Sequence, residues 1–65
     1  MKITVNGTTQ ETGARTLDAL LADLGYGEAK VATAVNDSFV PATMRPEQRL
    51  HDGDRIEIVA PRQGG

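Results

Sequence analysis

Cysteine is absent from this 65-residue chain, so no disulfide can staple the fold. Histidine occurs once, at His51, too few for a structural zinc site in a chain without cysteine. Tryptophan is missing too, and Tyr26 and Phe39 are the only aromatic residues, which leaves the core to aliphatic side chains. Neither charge sign dominates. Seven Lys/Arg against nine Asp/Glu give a net charge of −2 and are mixed along the chain. Without a basic block or an aromatic platform, nucleic-acid binding is not expected. No apolar run has the length of a membrane span, and Met1-Lys2-Ile3 does not start a signal-peptide pattern, so the expectation is a cytoplasmic protein with no membrane partner.

What is present suits one small domain. At this size about 60% of the unfolded chain's surface becomes buried, and stability is expected near the low end of ~5–15 kcal/mol. Lys2 to Asn6 alternates, with Ile3 and Val5 on one face, and Asn6-Gly7 is a type I′ hairpin signal because both residues tolerate positive φ. Thr8 to Glu11 returns as a weakly apolar strand, followed by a loop over residues 12–15. Thr16 reads as a helix N-cap, with Asp18 in the first turn at the positive end of the helix dipole. Leu17, Leu20, Leu21 and Leu24 then form one apolar stripe over about two and a half turns, ended by Gly25 as a left-handed cap.

The second half reads as sheet. Val31 to Asn36 alternates as a candidate central strand, with Val31, Thr33 and Val35 on one face and Ala32 and Ala34 on the other. A turn at Asn36-Asp37-Ser38 precedes a short Phe39-Val40 strand that Pro41 cuts off. From Ala42 to Gln48 the pattern is irregular, with Met44 as a satellite core candidate. Asp52-Gly53-Asp54 turns the chain into a last strand, in which Ile56, Ile58 and Ala60 alternate with Glu57 and Val59. No internal repeat is evident. Hairpin, helix, strand, short strand and final strand make an α+β, two-layer domain, a mixed sheet of four or five strands under one helix. The last strand is expected beside the first, in the middle of the sheet.

Few side chains offer chemistry. Asp52-Gly53-Asp54 falls far short of a calcium loop's ligand set and reads as a turn, and His51 has no partner for a triad or a metal. No metal site is expected. No constellation can run a reaction alone, so an enzyme is not expected. The end of the chain is different. Pro61 stops the strand, and Arg62-Gln63-Gly64-Gly65 has no apolar anchor. Residues 1–60 are therefore expected to form the domain and 61–65 a flexible tail. Extended, residues 61–65 reach roughly 16 Å at ~3.3 Å per residue. Two glycines pass through a channel too narrow for other residues; a frayed, functionless terminus is the competing reading.

Several stretches in order resemble the ThiS family of sulfur carriers in thiamine (thiazole) biosynthesis. These are Val5-Asn6-Gly7, the helix leucines, Val31-Ala32-Thr33-Ala34-Val35-Asn36, Phe39-Val40-Pro41, residues 50–59 and Gln63-Gly64-Gly65. The similarity covers the whole chain. The chain departs from it at Ala42, where an Arg is frequent, and at Arg45, where an aromatic residue is frequent. The resemblance implies a β-grasp, ubiquitin-like fold and places the chemistry at Gly65. Its carboxylate would be adenylated with ATP and Mg²⁺ by an E1-like partner, then converted to a thiocarboxylate by a persulfide donor, and the sulfur delivered to a thiazole synthase. The chain itself would bind no cofactor and act as a cosubstrate. Lacking cysteine, it could carry sulfur only at its terminal acyl group. Gly64, Gln63 and Arg62 would thread the partner's active site, with Phe39 and Val59 as a docking surface, although Phe39 serves equally well as core. The alternatives are a molybdopterin-type sulfur carrier and a ubiquitin-like binding or modifier module.

Overall fold

The computed structural model describes residues 1–27 and 29–60. Five strands, β1 (Lys2–Val5), β2 (Thr8–Glu11), β3 (Ala32–Val35), β4 (Ser38–Val40) and β5 (Arg55–Val59), form one mixed sheet in the order β2-β1-β5-β3-β4. The central pair β1 and β5 is parallel, and the remaining pairs are antiparallel. The final strand thus lies beside the first, as expected.

Among the described residues one α-helix, α1 (Leu17–Asp23), covers one face of the sheet. Thr16 caps it with extended backbone, its hydroxyl accepting from the Ala19 N–H at 3.2 Å. Leu24 is the C-cap and Gly25 follows at φ +89°, the left-handed geometry that favours glycine. Seven residues make about two turns, slightly shorter than expected. Such a helix does not persist alone in water and depends on the sheet beneath it. Leu17, Leu20 and Leu21 are buried in one core with Ile3, Val5, Val35, Val40, Ile56 and Ile58, to which Ala14 and Leu50 also belong.

Both hairpins turn on the same short pattern. Val5-Asn6-Gly7-Thr8 and Val35-Asn36-Asp37-Ser38 each place two consecutive residues at positive φ between paired strands: Asn6 and Gly7 at 50° and 85°, Asn36 and Asp37 at 51° and 72°. Positive φ at both central residues is the requirement of a type I′ turn. The shared four-residue pattern is the requirement of one turn type met twice.

Three expectations are corrected. Residues 42–47 are not irregular but form a 3-10 helix, Ala42–Glu47, with Pro46 inside it; proline lacks the N–H that an α-helix would need there. Met44 is 47% exposed and no part of the core, and Arg45 ties this helix down instead. Its Nε donates to the Thr33 hydroxyl at 3.1 Å and an Nη donates to the Val31 carbonyl at 2.6 Å. The Thr33 hydroxyl itself donates to the Val40 carbonyl at 2.8 Å, so this buried polar side chain is fully engaged. Ala60, finally, is exposed rather than on the buried face, because the strand ends at Val59.

Candidate functional site

Strand alternation sends Ile56 and Ile58 into the core and Glu57 and Val59 to the open face of the sheet. Register then decides which outward side chains meet. Ala34 faces Phe39 on one side and Glu57 on the other, and Ala32 faces Val59. Phe39 and Val59 stand two strands apart, roughly 10 Å in the hydrogen-bonding direction. They rim a shallow hollow of about 110 Å³ that Ala32 and Ala34 also line. Phe39 is 69% exposed and Val59 62% exposed. The core alternative for Phe39 is thereby removed: β4 buries Val40 and turns Phe39 outward.

Val59 also borders a larger groove of about 490 Å³ at the end of β5, between residues 29–32 and the start of the 3-10 helix. Its walls are mostly apolar, with Lys30 and Arg45 as the charged contributors. The chain leaves the described domain here, at Ala60. Arg62, Gln63, Gly64 and Gly65, together with the expected flexibility of the tail, lie outside the described residues.

The path of β5 towards that point is held from both sides by side-chain amides. Asn36 Oδ1 accepts from the Arg55 N–H at 2.9 Å while its Nδ2 donates to Asp54 Oδ1 at 3.0 Å. Asn6 Oδ1 accepts from the Ile58 N–H at 2.8 Å and its Nδ2 donates to the Ile58 carbonyl at 3.1 Å. Neither asparagine was singled out from the sequence beyond its turn. The repeated Val-Asn-Gly/Asp-Thr/Ser pattern is the signal that could have exposed them.

The Asp52-Gly53-Asp54 segment is a turn, as expected, with Gly53 at φ +88°. Its carboxylates cap backbone groups. Asp52 Oδ1 accepts from the Lys2 N–H at 2.7 Å and Asp54 Oδ2 from the His51 N–H at 2.8 Å. The His51 side chain is 76% exposed. Among the described residues no group of three or more His, Cys, Asp or Glu could hold a metal ion, and no helix is long and apolar enough to cross a membrane. On the outer surface Arg55 donates to Asp37 Oδ2 at 2.7 Å. That hydrogen bond first, and the positive charge second, hold the Asp37 carboxyl below its ordinary range.

A mixed sheet with parallel β1 and β5 side by side and one helix across one face defines, among the described residues, a ubiquitin-like β-grasp domain. Comparison with known proteins narrows this class. The chain belongs to the ThiS family, whose model matches residues 3–65. It is 33% identical to the sulfur carrier protein ThiS of Thermus thermophilus, over 94% of this chain and 95% of that one. It is also 39% identical to a segment of the thiazole synthase of Paramagnetospirillum magneticum, which covers all of this chain but only 20% of that protein's length. The crystal structure of the thiamine biosynthesis protein ThiS from Geobacter metallireducens superposes with a TM-score of 0.84 at 28% identity over the full length of both chains.

Proposed function

We propose that this chain is a sulfur carrier for the thiazole of thiamine, and that it works through the carboxylate of Gly65. The observation that carries the reading is the family match through residue 65, joined to near end-to-end similarity with a carrier of the same size. A carboxylate is ionised at neutral pH, with a pKa near ~3.5, and is a poor electrophile. Attack of one of its oxygens on the α-phosphorus of ATP, with Mg²⁺ balancing phosphate charge on an E1-like partner, expels pyrophosphate and leaves an acyl adenylate. The terminal sulfur of a persulfide then attacks the acyl carbon and AMP departs. Cleavage of the resulting acyl disulfide by a thiol leaves the thiocarboxylate and a disulfide on the donor side. The chain contains no cysteine to hold the sulfur elsewhere.

The recipient in this reading is a thiazole synthase. Support comes from the synthase that carries a segment similar to this chain, an arrangement that would keep carrier and synthase together. Residues 1–60 act as the recognition domain and 61–65 as the reactive tail. Arg62, Gln63 and Gly64 thread the partner's active site, and the Phe39–Val59 face is the docking surface, its two exposed apolar side chains flanking a hollow that an apolar partner group can fill.

The test is the intact mass of the protein after incubation with ATP, the adenylating partner and a persulfide donor, beside a Gly65-deleted control. Exchange of one oxygen for sulfur, located to the C-terminal peptide and absent from the control, is the expected result. An unchanged mass under those conditions, with retained binding to the partner, would replace the carrier reading by that of a non-covalent module.

A further inference from the structure

β1 leaves β5 before the final strand is complete. Asn6 donates its backbone N–H to the Ile56 carbonyl at 2.9 Å and then turns away at φ 50° into the hairpin. A continuing parallel ladder would next offer an acceptor to the Ile58 N–H and a donor to the Ile58 carbonyl. Both bonds are made, by the Asn6 carboxamide, at 2.8 and 3.1 Å. The side chain thus serves as one more peptide unit of β1. Ile58 lies two residues before Ala60, the last described residue, so this bracket is the final hold from the β1 side, among the described residues, on the strand that precedes residues 61–65. On the opposite side β3 holds β5 through Ala34↔Glu57 and Ala32↔Val59.

We infer that Asn6 is a positioning residue for the chemistry at Gly65, setting the direction in which the chain leaves β5; the inference rests on the sulfur-carrier reading above. Without the carboxamide, two backbone groups of Ile58 lose their partners and the strand end is held on one edge only. Loosening at Ile58 widens the range of directions in which the chain leaves Val59. Only the fraction of molecules with a correctly aimed root would engage the adenylating site on docking. The apparent affinity falls by that fraction while the chemical step itself is untouched.

The test compares Asn6→Gly with Asn36→Gly. Glycine keeps the positive φ at both turns, and each variant removes one amide bracket on β5, near its end for Asn6 and near its start for Asn36. The readouts are amide hydrogen exchange and steady-state pyrophosphate release with the adenylating partner and ATP. For Asn6→Gly the Ile58 amide is expected to exchange at least tenfold faster. KM for the carrier should rise about fivefold or more with kcat within twofold, while Asn36→Gly leaves KM within twofold. Should Asn6→Gly not fold, Asn6→Asp, which retains the acceptor for the Ile58 N–H but sets a second acceptor against the Ile58 carbonyl, gives the same comparison. Equal KM in wild type and Asn6→Gly, or an equal rise in Asn36→Gly, would overturn the inference and leave the carrier reading standing. If the wild-type chain is itself not adenylated, both fall together, whereas the exchange data alone would still report a structural bracket.

Discussion

Asn36 and Asp37 show how much a single residue's backbone can demand. Both occupy positive φ in the second hairpin, where the first has Asn6 and Gly7. A left-handed conformation costs a non-glycine residue more than glycine, although Asp tolerates it better than most. Asp37 offsets part of that cost through Arg55, at 2.7 Å on the open surface. Such exposed pairs are weak and screened by salt. Asp37→Gly is therefore expected to raise the thermal midpoint by roughly 2–5 °C, measured by circular dichroism. The sign with pH follows from the depressed Asp37 carboxyl. Its contribution is present above the unfolded value of ~3.9 and is lost as pH falls through the lower folded value. The wild-type chain should accordingly lose slightly more stability than Asp37→Gly on acidification, and the difference should shrink in high salt.

At the scale of elements, one side chain ties the 3-10 helix to the sheet side of the fold. It buries none of its own residues, and Arg45 fastens it to β3 through Thr33 and the Val31 carbonyl. Arg45→Ala would leave that carbonyl without its side-chain donor and remove one of the two bonds of the Thr33 hydroxyl. A loss of about 1–3 kcal/mol is expected from a charge-assisted bond of this kind, read as a lower urea midpoint at unchanged slope. The strands, the helix and its caps were legible in the sequence because alternation, the leucine stripe and the Thr16 and Gly25 signals all agreed. Residues 42–47 were not legible. Pro46 masks helical periodicity, and the anchor sits on a strand twelve residues away in sequence from Arg45.

Across the whole molecule, the sheet presents two unlike faces. One is closed by α1, and the other carries Phe39 and Val59 around two alanines. If this face docks the partner, Phe39→Asp should weaken carrier–enzyme association about tenfold or more, the ~1.4 kcal/mol expected of an apolar anchor replaced by a charge. Isothermal titration against the adenylating enzyme measures it. The far-ultraviolet spectrum should stay unchanged, because the side chain is 69% exposed and supports no core contact. Unaltered affinity would move the docking surface elsewhere, the groove beside Lys30 and Arg45 being the next candidate.

The sequence by itself determined the class of fold and the place of each strand and the helix. Those follow from local rules: periodicity, capping and the conformational freedom of glycine and asparagine act within a few residues. Only the tertiary structure decided that Phe39 faces solvent, since both of its readings were compatible with a two-residue apolar run and register with β3 alone chose between them. Long-range pairing likewise converted Asn6 from a turn residue into a partner of Ile58, 52 positions away. A carboxamide can satisfy backbone groups of any strand that comes within 3 Å of it, and which strand does so is settled when the sheet assembles.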